Sequence, residues 1–438
     1  MFKNVILGIF ILGALLGMAD FAGIIHVGGS SSSSTTVAGT AVVWGTFSSQ
    51  AMQPFLSDFK NNNNDINLQY VEKDPATFSN DITQSIAAGN PPDLLILPDN
   101  LIFQFKDEIT HIPFTSIPAD TYTNTFISAA NIFEANDGIV ALPWAADPLI
   151  LYYNRDMLQS AGYAQPPTTW QAFTDSVKLL TIKQNDTSIS QSGAALGTYA
   201  NIEHAKDIIA LLFLQTGNPF MTYDYSHFTA YFGGGGTANE KNITEQAMDF
   251  YTAFSNPVKD VYSWNAGEPL DLDMFTQSSL AYYFGSASEL PGIRATNPNL
   301  NFGIALPPQT GTSTLLTTGR MYGIAIPKSA KNPLLSFTAA NLMTNADAET
   351  SLSGNAAVTL SLLPVRRDVL ANNQVSDQYL NFLYKTVLVQ KSWFDPDPIQ
   401  SDQILSDAIR DINSSLMTSA DAFSKAETQL EAIGNANQ

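Results

Sequence analysis

The stretch LPWAADPLILYYNRDMLQSAG, Leu142 to Gly162, sets an indole and a carboxylate in front of a buried-strand pattern. Trp144, Asp147 and Pro148 precede the apolar run Leu149 to Leu151, and Tyr152, Tyr153 and Asn154 follow it. A helix is expected immediately afterwards. An indole offers a flat apolar plate, and a carboxylate accepts hydrogen bonds. That pairing serves either local packing or the capture of a ligand. Four of the five tryptophans, Trp44, Trp144, Trp264 and Trp393, lie next to a predicted strand end or loop. Trp170 is the exception: with Phe173, Val177 and Leu180 it recurs at helical spacing and reads as core.

Other chemistries lack their residues. The four histidines, His26, His111, His204 and His227, are scattered without ligand spacing, so no metal site is expected. There is no Gly-x-Ser-x-Gly, no Walker lysine and no Gly-x-Gly-x-x-Gly. GGGG at 233–236 has no Lys-Ser or Lys-Thr after it and reads as a hinge or loop tip. SDFK at 57–60 has no Lys-Thr-Gly partner, and DLD and DPDP lack calcium-loop spacing. No catalytic residue and no cofactor are assigned. The 40 acidic residues still leave room for a pair of glycosidase carboxylates.

The 438 residues exceed one ordinary core and suit two lobes. A 45% hydrophobic content supports a large core. The net charge of -20 repels phosphate backbones and anionic headgroups, which excludes nucleic acid as a partner. With no cysteine, disulfides, thiolate metal sites and a lipid-bearing cysteine are all excluded.

The elements that must position these groups follow from periodicity. Ala41 to Trp44 is a short strand ending at Gly45, a helix is expected over Gln50 to Lys60, and INLQYVEKD alternates as a strand. A helix stopped at Gly89 leads through prolines into the buried strand Leu94 to Leu97. Strand and helix alternate, which implies parallel βαβ units whose ligands bind beyond the carboxyl ends of the strands. Trp44-Gly45-Thr46 and Pro98-Asp99-Asn100 sit at two such ends. A helix-rich region runs from Ile202 to about Phe254. SLAYYFGSASEL is a strand entering a turn, and two more strands precede a helix from Pro333. The part from Pro396 on is helical, with Ile404, Ala408 and Ile412 repeating at fours.

At the N-terminus Lys3 precedes an apolar run interrupted by Asp20. Two readings stand: an uncleaved anchor helix over Val5 to Val27, long enough for a ~30 Å hydrocarbon core, or a signal peptide cut near Ala19. Either exports the rest of the chain. A Ser/Gly-rich tether follows.

Four segments together resemble the extracellular solute-binding proteins of ABC importers, the family of maltose- and oligosaccharide-binding proteins. They are SIAAGNPPDLLIL; LPWAADPLILYYNRDMLQSAGYAQPPTTWQAF, the strongest; GRMYGIAIPKSAKNP; and LLPVRRDVL with AFSKAETQL. The resemblance covers roughly residues 40–435 and is weakest over 185–265. It implies an α/β fold of two lobes with a ligand cleft between them; the N-terminal hydrophobic helix expected before it departs from the many family members that are lipoproteins or free periplasmic proteins. The expected organisation is 1–28 signal or anchor, 29–39 linker, 40–148 plus about 319–350 lobe 1, and 149–318 plus about 351–438 lobe 2. The implied partners are a small polar solute and ABC permease subunits, for a monomeric receptor at the cell surface or in the periplasm.

Sugars alternate apolar C–H faces with hydroxyl edges, so a sugar site needs aromatic plates with carboxylates and amides. Trp44, Trp144, Trp264 and Trp393 are the candidate plates, each with core packing as its alternative, and Asp147 is a candidate acceptor. By correspondence with the family, Thr46 and Ser48, Asp99 and Asn100, Ser286 and Ser288, and Arg320 and Tyr322 join them. Arg320 serves equally as partner to a lobe carboxylate. Asp93 reads as structural. A polyamine, a peptide or a glycerophosphate is the alternative solute; a surface adhesin or an exported carbohydrate-active enzyme is the alternative role.

Overall fold

The computed structural model describes residues 37–436 apart from 185–187, 225–226, 233–242, 312–314, 355–356 and 373–376. The expected anchor helix, most of the linker and the GGGG run lie outside the described residues. Among the described residues, no helix is long and apolar enough to cross a membrane. The chain divides into two compact units. Unit 1 takes the residues to Asp147 and then Arg320–Ser376; unit 2 takes Pro148–Gly319 and Asp377–Gln438.

Unit 1 begins with β1, Gly39–Gly45, in which Ala41, Val43 and Gly45 face the core in strict alternation. Next come α1 (Ser49–Asn62), β2 (Ile66–Glu72), α2 (Phe78–Ala87), β3 (Leu94–Pro98) and α3 (Asp99–Phe105). α1 buries Met52, Phe55 and Phe59, three and four residues apart. Both β2 and β3 run parallel to β1. Asp93 fixes the entry to β3: its Oδ2 accepts from the Val42 N–H at 2.9 Å, and its own N–H donates to the Val42 carbonyl at 3.0 Å.

β4, Leu142–Asn154, is longer than the expected strand and buries all thirteen residues. Such a run has no solvent face, which is why its sequence shows no alternation. The chain leaves unit 1 inside β4, between Asp147 and Pro148.

Unit 2 continues with α4 (Arg155–Ser160), whose N-cap Asn154 accepts from the Met157 N–H at 3.1 Å, and α5 (Trp170–Leu180), capped by Thr169. β5 (Ile189–Ala194), α6 (Ala205–Gln215), β6 (Met221–Tyr223), β7 (Phe228–Ala230) and α7 (Ile243–Ala253) follow. Two strands thus interrupt the region expected to be helix-rich: β6 and β7 pair antiparallel, and three-residue strands are too short to leave a periodic signature. β8 (Leu280–Ser286) pairs antiparallel with β4, Tyr282 opposite Tyr153, and parallel with β5. β9 (Phe302–Ala305) pairs antiparallel with β4.

β10, Thr317–Ala325, carries the chain back. Its second half joins unit 1 antiparallel to β3, with Tyr322 opposite Pro98 and Ile324 opposite Ile96. In unit 1 it is followed by α8 (Pro333–Met343) and α9 (Ala346–Ser353). The segment 351–376 clusters with unit 1 rather than with the second lobe to which the sequence assigned it. Backbone pairing explains this: Leu363 bonds to Ala146 in both directions at 2.9 Å, and Ile127 donates to the Val365 carbonyl at 3.0 Å. Unit 2 closes with α10 (Gln378–Val387), α11 (Pro398–Asn413) and α12 (Ser419–Ala436). α11 buries Ser401, Leu405, Ala408 and Ile409, so its inward stripe is set off from the expected Ile404, Ala408, Ile412 repeat.

Candidate functional site

In unit 1 the candidate residues lie where β1 and β3 end and where β10 enters the unit at Arg320. Gly45 closes β1 because a Cβ there would lie 3.0 Å from the Tyr70 hydroxyl and 3.3 Å from Ile96. That hydroxyl donates to the Phe47 carbonyl at 2.6 Å and fixes the Thr46-Phe47-Ser48 turn. β3 delivers Asp99 and Asn100 to the first turn of α3. The β10 ladder to β3 ends at the Tyr322–Pro98 pair, two residues after Arg320 and one before Asp99. The Arg320 guanidinium donates from Nη1 to Asp99 Oδ1 at 3.1 Å. Asp99 is only 3% exposed, while the arginine side chain is 24% exposed. Burying the carboxylate against a guanidinium keeps it satisfied where alone it would be costly.

Tyr322 follows Arg320 by two residues on β10 and pairs with Pro98, the residue before Asp99. Phe47 lies edge-on to Tyr322 with centroids 4.9 Å apart and is 5.9 Å from Trp144. Phe47 and Tyr322 are half-buried. Trp144 is fully buried and packs edge-on against Phe55 at 5.3 Å. Its packing is that of a core ring, one of the two readings that the sequence left open. Its Nε1 is a buried donor with no partner among the described residues, and Asn100 Oδ1 is a buried acceptor in the same condition. Asp147 lies three residues along β4 and is 4% exposed. Thr46 is half-buried. Ser48 is exposed and caps α1, accepting from the Ala51 N–H at 3.2 Å.

Trp44 does not join this group. It lies on the β1 face opposite Val43, and Lys73 Nζ covers its ring at 3.7 Å from the centroid. Phe47 is the residue that sequence reading missed. Its signal was present, an aromatic three residues after Trp44 at a strand end, but nothing in the sequence ranked it above the tryptophans.

In unit 2, Trp264 is fully buried with an Nε1 that has no partner among the described residues, and Trp393 is 7% exposed and edge-on to Phe220 at 4.9 Å. Both are core rings. Lys206 lies 6.0 Å from the Trp393 centroid and is held by Asp395 at 2.9 Å and Asp402 at 3.1 Å. Ser286 and Ser288 occupy the turn after β8, in a capping box: the Ser286 N–H donates to Glu289 Oε1 at 3.0 Å. Glu289 also accepts from the Tyr283 hydroxyl at 2.5 Å and meets His204 Nε2 at 2.5 Å.

Charge is concentrated around this turn. Burial alone would push His204 toward neutrality; Glu289 and Asp207 reverse that and hold its pKa well above the usual imidazole value. Burial would likewise raise Glu289, but His204 keeps it below the ordinary carboxyl range. Burial pushes Asp271 up to about 7, and pushes Glu203 up with help from Glu289. Among the described residues, no group of three or more His, Cys, Asp or Glu could hold a metal ion.

Both units are mixed α/β, and in unit 1 polar and aromatic groups stand at the ends of the parallel strands β1 and β3. The chain belongs to the bacterial extracellular solute-binding protein family, whose model matches residues 55–382. A binding protein of Brucella abortus is 30% identical over 90 residues, 20% of this chain and 22% of that protein, so the match spans about a fifth of the curated relatives' length. The cyclic α-maltosyl-1,6-maltose binding protein of Arthrobacter globiformis shares the fold at a TM-score of 0.72, with 18% identity over 91% of this chain and 100% of that one. UgpB of Mycobacterium tuberculosis, in complex with glycerophosphocholine, shares it at 0.71, with 19% identity over 92% and 100%. At such identity the likeness is one of fold.

Proposed function

We propose that this protein is the extracellular receptor of an ABC importer, capturing a carbohydrate, in particular an oligosaccharide, and delivering it to a membrane permease. The observation that carries the reading is the grouping in unit 1 of half-buried Phe47 and Tyr322 with the Arg320–Asp99 pair. Aromatic faces take the C–H side of a sugar ring, and fixed polar groups take its hydroxyls. Because Asp99 answers the arginine's charge within the unit, a bound solute need not bring an anion. That favours a neutral polyol over a phosphate ester. Asn100 Oδ1 supplies an acceptor without a partner among the described residues. The maltosyl-maltose binder of the same fold supports this choice; the glycerophosphocholine complex supplies the competing one. In this reading the apolar stretch Val5 to Val27 holds the receptor at the membrane surface.

A thermal-shift screen of the purified protein tests it, with malto- and manno-oligosaccharides, tagatose and glycerophosphocholine as ligands. Ligand at 100 times its dissociation constant adds about 2.7 kcal/mol, a shift of several degrees. A shift with an oligosaccharide that Phe47→Ala and Tyr322→Ala abolish is the expected result. A shift with glycerophosphocholine alone would replace the carbohydrate reading.

A further inference from the structure

His204 and Glu289 lie 85 residues apart in sequence yet meet at 2.5 Å, with side chains 14% and 19% exposed. The ring faces a second carboxylate, with Nδ1 at 3.6 Å from Asp207 Oδ2. His204 stands at the N-terminus of α6, where the helix dipole disfavours a cation, so the two carboxylates must overcome that as well. Glu289 has three partners at once: the His204 ring, the Tyr283 hydroxyl and the Ser286 N–H. One oxygen, Oε1, serves both His204 and Ser286. A change at the ring is therefore felt directly at the first residue of the Ser286-Ala287-Ser288 turn. Little slack is available, since a Cβ at Gly285 would lie 2.7 Å from Glu289 Oε2.

We propose that His204 is a positioning residue: through Glu289 it locks the Ser286–Ser288 turn, and loss of the ring's proton releases the lock. That the turn contacts solute rests on the solute-receptor reading together with the family correspondence of Ser286 and Ser288; the lock itself does not. The groups facing the ring are Glu289 from the turn after β8 and Asp207 on its own helix. Glu203 and Asp271 act on it electrostatically, and Tyr283 shares its carboxylate partner. The two contacting groups and both more distant ones carry or can acquire negative charge, so all of them favour the protonated ring. The lock is therefore engaged at neutral pH and opens as pH rises.

Hydrogen exchange on the full chain tests this. Protection of the Ser286 amide, corrected for intrinsic exchange, is expected to fall about tenfold as pH rises through the ring's titration, as befits loss of a charge-assisted hydrogen bond. His204→Gln should give low protection that no longer varies with pH, and Glu289→Gln should do the same. A Ser286 profile unchanged by His204→Gln overturns the lock. Affinity for maltotriose, measured over the same pH range, tests the link to binding. A fall that parallels the loss of protection, absent from His204→Gln, supports it; affinity flat with pH in the native protein overturns it. A chain that binds no oligosaccharide of the panel sinks the carbohydrate reading and leaves the lock to be decided by exchange alone.

Discussion

Replacing Trp144 by alanine distinguishes a core ring from a binding plate. The indole is fully buried, edge-on to Phe55 at 5.3 Å and 5.9 Å from Phe47. Truncating a buried tryptophan costs about 3–5 kcal/mol in lost transfer energy and cavity formation. The substitution also removes the unpartnered Nε1–H, a buried donor whose removal returns roughly 1 kcal/mol. The net loss is then about 2–4 kcal/mol, or a melting temperature lower by roughly 5–15 °C for a unit of this size. Trp144→Phe keeps most of the volume, loses the orphan donor and should cost less than half as much. Scanning calorimetry, paired with ligand titration on Phe47→Ala, is the assay. Phe47→Ala should show the reverse pattern, a small stability loss and a large affinity loss. The reasoning fails if Trp144→Ala melts within about 2 °C of the native protein, because a ring so enclosed cannot be removed without a cavity.

Asp99→Asn leaves the Arg320 guanidinium facing a neutral amide and should cost about 1–3 kcal/mol in urea unfolding, the lower end reflecting the arginine's partial exposure; a change under 0.5 kcal/mol would mean that the pair contributes no net stability. Asp271 has its folded pKa raised by burial to about 7, so its contribution to stability is complete below about pH 4 and is lost as pH rises to 7. Asp271→Asn should therefore gain on the native protein between pH 5 and pH 8, and a constant difference across that range would contradict the assignment. Glu349 is fully buried with Oε2 accepting from Val365 and Arg366, and burial holds it well above the carboxyl range. Glu349→Gln should be most favourable at alkaline pH, read by the same pH series of melts. At Gly434 a Cβ would lie 2.3 Å from the Phe228 ring, so Gly434→Ala should lose about 1–3 kcal/mol by overpacking; an unchanged melting temperature would show that α12 shifts freely.

What the sequence disclosed follows from how local each signal is. The short apolar run of β1, the alternation of β2 and the buried run of β3 are written within the elements themselves, and each was legible; the cap at Asn154 was not read from the sequence. Asp93 was also legible as structural, since it follows paired prolines at a strand mouth. The buried stripe of α11 was misplaced because Ile404, Leu405, Ile409 and Ile412 are all apolar, and only packing against the rest of unit 2 selects among them. The Trp144 side chain could not be sorted from sequence: an indole at a strand mouth reads alike whether Phe47 and Phe55 close over it or not. The Arg320–Asp99 pair spans 221 positions, and the His204–Glu289 contact spans 85. No periodicity carries information over such distances.

The return of the chain to unit 1 has a temporal consequence. β3 buries Leu94 to Leu97 and needs β10 as its neighbour on the side away from β1. On a ribosome adding about 5–20 residues per second, Arg320 emerges roughly 10–45 s after Asp99. During that interval the first leg of unit 1 has an apolar strand with an unpaired edge, the kind of surface that recruits other strands. The first leg of unit 2 is synthesised entirely within the same interval. The first leg of unit 1 is thus among the last to complete its own sheet, and its survival until then depends on whatever keeps the growing chain from pairing elsewhere.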